Sequence, residues 1–329
     1  MLVNGTWTTD WHPVQAKDDQ GRFVRQVSSF RNWITADGRP GPTGTGGFKA
    51  EPGRYRLYVA LICPWASRTL IARKLKRLED LVAVTVVNPV LTDQGWAFGG
   101  YPGADADPLH GAGHLHELYT CADASYTGRA TVPLLWDERT DTAVSNESAE
   151  ILRMFNTAFA DLVPDTPDLY PADLAPQIDA LNAEIYDSLN NGVYKAGFAS
   201  SQTAYDEAVA GVFAMLDRLE QWLDGHYLFG DRLTETDIRL FVTLIRFDAA
   251  YHGLFKTNIR RIADYPRLSA YQERILRLPG VAETVNLEHI KAGYYSIKAL
   301  NPTGIVPAGP KHVQDLLDRA MAQQRVSQG

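Results

Sequence analysis

Cysteine is nearly absent: Cys63 and Cys121 are the only two in 329 residues. Two thiols are too few for a disulfide framework, so a reducing compartment is expected. His110, His114 and His116 are accompanied only by Glu117 and Cys121, which completes no ligand pattern, and no metal is expected. Long apolar runs are also missing. A membrane-spanning helix needs about 20 consecutive apolar residues, and Met1 to Trp11 lacks the charged-then-apolar order of a secretion signal. A cytoplasmic protein with no membrane partner is therefore expected. Positive charge is the scarcer sign: 32 Lys and Arg against 39 Asp and Glu leave a net charge of -7, which argues against nucleic acid as a partner.

What is present is ordinary for a globular chain, 45% hydrophobic and 22% charged, and its length favours two domains. The stretch that organises it is Cys63-Pro64-Trp65-Ala66, where the β-formers Tyr55 to Ile62 give way to a helical pattern beginning at Trp65 and running to Leu78. Pro64 suits a first helical position, and Ile71, Leu75 and Leu78 follow at helix spacing. A thiol at that point faces unpaired backbone N–H groups and the positive end of the helix dipole. Both favour the anionic sulfur, the form that acts as a nucleophile.

Residues 1–47 are rich in Gly, Asp, Thr and Trp and read as an N-terminal extension draped over the domain behind it. Val82 to Val90 reads as a second strand, which makes a βαβ unit with parallel strands. Between Thr92 and Ala130 only His114 to Tyr119 is mildly helical, and so long an irregular segment is functional or mobile. Thr131 to Trp136 reads as a strand, with Pro133 placed where a cis bond is allowed, and a second strand ends near Val144. Ser145-Asn146-Glu147-Ser148 then opens a helix with Ile151, Leu152 and Phe155 on its apolar face.

Four prolines between Pro164 and Pro176 mark a boundary, so domains are expected at 48–163 and 172–310, with a tail at 311–329. The second domain reads as helical throughout: Ile178 to Leu189, Tyr205 to Leu223, Ile238 to Phe247 behind a capping box at Thr234 to Asp237, Pro266 to Arg277, Val281 to Ile290, and a surface helix at Lys311 to Gln324.

A βαβ unit with cysteine at its helix, succeeded by a ββα unit entered through Val132-Pro133, is the layout of a thioredoxin-like domain. With helices behind it, the chain resembles a glutathione transferase: an α/β thioredoxin-like N-terminal domain plus an all-α C-terminal domain, with an N-terminal extension. It is most similar to the Xi class, the glutathionyl-hydroquinone reductases, from about Phe30 to Pro310. The resemblance is carried by Cys63 to Ala66, Asn88-Pro89, Gly95-Trp96, Thr131 to Pro133, Asn146 to Ser148, Leu233 to Phe247, Phe255 to Asn258, Asp264 to Pro266, and His289 to Pro310 with Tyr294-Tyr295 and Asn301-Pro302. It departs at Ser67, where members often carry His, and over Gly293 to Lys298, which bears on substrate preference.

The resemblance implies that glutathione is a co-substrate and that glutathionyl-hydroquinones are the small-molecule partners. Glu147-Ser148 would hold its γ-glutamyl end, the Val132 backbone its cysteinyl part, and Trp96 and Arg129 would lie along it. Cys63 is the implied nucleophile, with Tyr194 and Tyr294 as catalytic tyrosines and Tyr295 lining the hydroquinone pocket. A homodimer is implied as well.

One inference needs no family. Ala66 stands where a dithiol exchanger keeps its second cysteine, so a mixed disulfide on Cys63 must be released by an outside thiol. A general thioltransferase or dehydroascorbate reductase, and a non-catalytic binding module of the same fold, are the alternatives.

Overall fold

The computed structural model describes residues 1–9 and 17–328, so residues 10–16 of the expected extension, including the end of the Met1 to Trp11 stretch, lie outside it. Two compact units emerge. One holds residues 1–9 and 26–167 and the other 17–25 and 168–328, so the stretch expected as a single extension is shared between them.

The first unit is built on a four-stranded sheet. Short strands β1 (Leu2–Val3) and β2 (Thr6–Trp7) form a hairpin, and β3 (Trp33–Thr35) pairs with β4 (Gly47–Lys49). The central sheet contains β5 (Tyr55–Val59), β6 (Val82–Val86), β7 (Leu134–Asp137) and β8 (Thr142–Ser145), in the order β6-β5-β7-β8. As expected of a βαβ unit, β5 and β6 are parallel, with Leu57 opposite Val84; β7 runs antiparallel, with Leu57 opposite Leu135. Tyr55, Leu57, Tyr58, Val59, Leu134, Leu135 and Trp136 are fully buried, which is why these strands read as apolar runs rather than alternations.

Between β5 and β6 lies α1 (Pro64–Leu75), which packs against α3 (Ser148–Thr157); α2 (Leu115–Ala122) precedes β7. Elements are shorter here than the sequence pattern predicts. Strand β5 stops at Val59, not Ile62, because the chain turns tightly enough for the Cys63 N–H to reach the Ala60 carbonyl at 2.9 Å. Strand β6 stops at Val86, short of Val90, ahead of Pro89, which has no N–H to give a ladder. Helix α1 begins at Pro64 and ends at Leu75 rather than Leu78, because Arg77 takes a left-handed φ of 52°. The Leu78 N–H then bonds back to Arg73 and the Arg77 N–H to Lys74, closing the helix with a Schellman motif.

The segment 92–130 is organised, though its composition reads as irregular. Asp107 is only 6% exposed, and its carboxylate receives the N–H groups of Leu109, His110 and Ala112 at 3.0–3.3 Å and the Tyr58 hydroxyl at 3.0 Å. One buried acid thus gathers a loop that has no periodic signal.

The second unit is helical: α4 (Ala175–Ile185), α5 (Gly192–Gly197), α6 (Gln202–Trp222), α7 (Glu235–Arg246), α8 (His252–Leu254), α9 (Pro266–Leu276), α10 (Leu287–Tyr295) and α11 (Lys311–Gln328). The expected capping box opens α7, with the Thr234 N–H donating to Asp237 at 2.8 Å. Two places differ from the expected helices. Ile178 to Leu189 is not one α-helix but continues from α4 into a π-helical turn at Tyr186–Asn190, and a second π turn, Phe247–Tyr251, comes directly after α7. The helix expected over Val281 to Ile290 is broken: Ala282–Thr284 forms a 3-10 turn, and α10 starts afresh where Asn286 caps the His289 N–H at 2.9 Å.

Candidate active site

Cys63 occupies the cap position of α1, with extended backbone (φ -74°, ψ 119°) and Pro64 as the first helical residue. The local sequence sets this directly, because proline fixes the helical φ and needs no N–H partner there. The thiol is partly exposed and donates to the Val132 carbonyl at 3.5 Å. The residue's own carbonyl takes the Ser67 N–H at 3.0 Å and the Ser67 hydroxyl at 3.1 Å. Ser67 therefore ties down the turn that carries the sulfur. The Arg68 guanidinium lies 4.4 Å from the centre of the Trp65 ring.

Val132 is buried, and the Val132–Pro133 bond is cis, as the sequence allowed. The sequence pattern gives no sign of what holds this loop. The hydroxyl of Tyr119, from α2, donates to the Thr131 carbonyl at 2.7 Å and accepts the Thr131 N–H at 3.1 Å and the Asn146 side-chain amide at 3.2 Å. One hydroxyl has one proton and two lone pairs, and all three are used. Burial pushes the Tyr119 hydroxyl well above the ordinary tyrosine range, so it keeps the proton it donates. Tyr119 thereby joins the loop before Val132 to the start of α3.

Glu147 caps α3, one carboxylate oxygen accepting the Ala149 N–H at 3.1 Å. Its other oxygen receives the hydroxyl of Ser28 at 2.9 Å, a second residue not anticipated from sequence. Ser148 is buried as the first residue of the helix. Asn146 also accepts the Phe30 N–H at 3.1 Å, so residues 28–30 are fastened to the entry of α3. Trp96 is partly buried and its carbonyl accepts the Leu115 N–H at 2.9 Å, which anchors it to the first turn of α2. Arg129 is partly buried three residues before Val132, its carbonyl accepting the Tyr126 hydroxyl at 3.1 Å. The unit thus brings Cys63 against Val132 and links that loop to Glu147-Ser148; Arg129 stands earlier in the stretch that leads to Val132, and Trp96 is placed by a separate segment.

In the second unit the tyrosines form a chain of hydroxyls. Tyr294 meets Tyr194 at 2.6 Å and Tyr251 at 2.8 Å. Tyr294 is 2% exposed and Tyr251 fully buried, whereas Tyr194 is partly exposed and forms the outer end. Burial first, and neighbouring phenols second, push the Tyr251 and Tyr294 hydroxyls well above the usual range. The rings interlock with Phe255, whose centroid lies 5.2–5.6 Å from those of Tyr194, Tyr251 and Tyr294. Gly197 permits this: a Cβ there would come within 2.4 Å of the Phe255 ring. Arg25 lies over the Tyr194 ring at 4.8 Å and donates to the Asn191 side chain at 2.9 Å. Tyr295 is outside this chain; its hydroxyl approaches Gly253. Tyr251 and Arg25 were not foreseen, although the Phe247–Tyr251 π turn on which Tyr251 sits is a feature often found at functional sites.

Models of known families match both units. The glutathione S-transferase N-terminal domain matches residues 62–158 and the glutathione S-transferase C-terminal domain residues 202–274. The glutathionyl-hydroquinone reductase YqjG of Escherichia coli is 56% identical over 313 residues, spanning 94% of this chain and 95% of that protein. The solved glutathione-bound structure of YqjG superposes with a TM-score of 0.87 at 54% identity, over 94% of this chain and 95% of that one. The Xi glutathione S-transferase of Phanerochaete chrysosporium superposes at 0.85 with 50% identity, over 89% and 94%.

Proposed function

Because this chain belongs to the glutathione transferase family, in its Xi class, we propose that it is a glutathionyl-hydroquinone reductase that uses Cys63 as a single-thiol centre. The observation that carries this reading is the sulfur at the start of α1, 3.5 Å from the Val132 carbonyl, with Ala66 where a resolving thiol would stand. In the first step the Cys63 thiolate attacks the glutathionyl sulfur. A sulfur–sulfur bond forms, the bond from sulfur to the aromatic carbon breaks, and that carbon takes a proton, which releases the hydroquinone. In the second step the thiolate of a free glutathione attacks the mixed disulfide, which frees Cys63 and yields oxidised glutathione. The ring carbon is reduced by two electrons, supplied by the two sulfurs that end as a disulfide.

Residues 48–163 are assigned to glutathione and 172–310 to the aromatic part. The Val132 backbone pairs with the cysteinyl portion of glutathione, Glu147-Ser148 and the N-terminal turn of α3 take its γ-glutamyl end, and Trp96 and Arg129 flank it. Glu147 accepts bonds from Ala149 and Ser28, and a carboxylate has lone pairs beyond those two. The proton comes from the tyrosine chain, with Tyr194 as the outer donor and Tyr294 behind it, and Tyr295 lines the aromatic pocket. A phenol carries its proton at neutral pH, and burial, which pushes the Tyr251 and Tyr294 hydroxyls up, makes those two the weaker acids. The partly exposed Tyr194 is therefore assigned as the donor, and the inner hydroxyls as the hydrogen bonds that orient it. Reduced glutathione is needed at every turnover, which fits the cytoplasm. A homodimer is part of the proposal; gel filtration at twice 36.5 kDa supports it, and elution as a single 36.5 kDa chain contradicts it.

Three substrates separate the readings: glutathionyl-hydroquinone, hydroxyethyl disulfide with glutathione, and chlorodinitrobenzene. Release of hydroquinone is the expected result. Disulfide turnover alone overturns it in favour of a general thioltransferase, and silence on all three with retained glutathione binding favours a binding module.

A further inference from the structure

Three separate segments of the first unit meet at its surface: the loop gathered by Asp107, the C-terminal half of α2, and the turn between β7 and β8. They present His110, Cys121 and Asp141, each offering one donor atom within 4.8 Å of the others. His110 Nε2 lies 2.6 Å from Asp141 Oδ1, and Cys121 Sγ lies 3.9 Å from Asp141 Oδ2. The set is one imidazole nitrogen, one sulfur and one carboxylate oxygen, the donor mixture that suits a borderline-soft dication better than magnesium or calcium.

A second layer is already in place. His110 Nδ1 faces Asp107 Oδ2 at 3.5 Å, and Asp107 is itself buried and fixed by three N–H groups and the Tyr58 hydroxyl. A carboxylate behind the far nitrogen of a histidine orients the ring and leaves its other nitrogen free to bind a metal. The Trp136 indole N–H donates to Asp141 Oδ1 at 3.3 Å, and its ring meets the His110 ring edge-on at 5.6 Å. Both the oxygen and the nitrogen donor thus have an outer partner.

We propose that His110, Cys121 and Asp141 form a zinc-binding site, with the fourth position open to solvent. Tetrahedral zinc, with bonds of about 2.0 Å to nitrogen and oxygen and about 2.3 Å to sulfur, sets donor separations of roughly 3.3 Å and 3.5 Å. The 2.6 Å separation runs to Oδ1 of Asp141 and the 3.9 Å separation to Oδ2, so a small turn of this exposed carboxylate and shifts of about 1 Å among donors that already lie within 4.8 Å of one another bring the set to these values. Cys121 gives up its thiol proton to water when the metal binds, so loading releases one proton. Zinc would clip α2 to the β7–β8 turn and to the Asp107 loop. The expectation of no metal came from sequence spacing, in which Asp141 is too distant to be counted. A rival trio, His114, His116 and Glu117, lies within one helix start; there the His114 N–H is already capped by Glu117 at 2.8 Å, and His116 stacks on Trp7 at 4.5 Å.

The test is a titration of the full chain with cobalt(II), then zinc, carried out on the Cys63→Ser background so that one thiol remains. A thiolate-to-cobalt charge-transfer band that saturates at one equivalent and is displaced by zinc is expected. Cys121→Ser should abolish the band, His110→Gln should abolish or severely weaken it, and Asp107→Asn should lower affinity about 10–100-fold. His114→Ala should leave it unchanged. Circular dichroism of each variant separates lost binding from lost fold, and Cys121→Ser, an exposed position, is the variant least able to unfold the chain. No thiolate band, or metal binding that is insensitive to Cys121→Ser and lost with His114→Ala, overturns the proposal.

Discussion

Cys63 is positioned by backbone: it caps α1, sits after a tight turn and leans on the Val132 carbonyl. Tyr194, Tyr251 and Tyr294 are positioned by one another's side chains, through two hydroxyl contacts and the shared Phe255 ring. The first arrangement leaves a sulfur partly open to solvent; the second keeps its inner phenols buried and protonated. A nucleophile needs access and a field that favours its anion, whereas a phenol that donates a proton must hold it until the reacting carbon takes it. In the proposed mechanism the sulfur and the phenols have different electrostatic tasks, and the two regions are built differently to match.

The sharpest way to separate them is Tyr194→Phe. It should slow hydroquinone release by about 10²–10⁴-fold while leaving exchange with hydroxyethyl disulfide nearly intact, because only the first reaction puts a proton on carbon. Equal loss in both assays would merge the two regions into one function and break the comparison.

The next effect concerns the sheet beneath the thiol. Asp137 is completely buried and pairs with Arg54 through two bonds of 2.7 Å. Burial alone would raise its pKa, but the Arg54 guanidinium, the Thr140 hydroxyl and the Arg139 N–H outweigh it and hold the carboxyl below the ordinary range. The unfolded chain therefore binds a proton that the folded chain refuses. Stability from this group is full above the unfolded value of about 3.9 and is lost as pH falls through the depressed folded value. Asp137→Ala should cost about 3–5 kcal/mol by urea denaturation at neutral pH, and the variant's stability should fall less steeply in acid than the wild type's. An unchanged acid limb would remove this pair from the account.

A smaller effect is expected at the joint between the Val132 loop and α3. Tyr119→Phe leaves the Thr131 N–H and the Asn146 amide without their shared acceptor, at about 1–3 kcal/mol. It should raise the KM for glutathione more than it lowers kcat, and a pure loss of kcat would mean that Tyr119 does more than hold the loop.

The same contrast explains what could be read from sequence. The placement of Cys63 at a helix start was legible because its determinants are neighbours: strand, cysteine, proline and helix come in order, and the capping box at Thr234 is equally local. Ser28 and Glu147 are 119 residues apart, and Tyr194 and Tyr294 are 100 apart, so no local pattern joins them. Tyr194 and Tyr294 were reached only through family resemblance, and Tyr251 and Tyr119 not at all. The π turn at Phe247–Tyr251 adds to the difficulty, because an extra residue in a turn rotates the succeeding side chains by about 100° against α-helical phase. The order within 92–130 rests on one buried carboxylate, Asp107, whose partners carry no periodic signal.

The central claim is that Cys63 takes the glutathionyl group itself and that a second glutathione must remove it. Mixing the protein with one equivalent of glutathionyl-hydroquinone, with no free glutathione present, and measuring intact mass tests this directly. One glutathione adduct mapped to Cys63 and one equivalent of released hydroquinone are expected, with neither in Cys63→Ser. Hydroquinone released without an adduct, or released at full rate by Cys63→Ser, would contradict the claim.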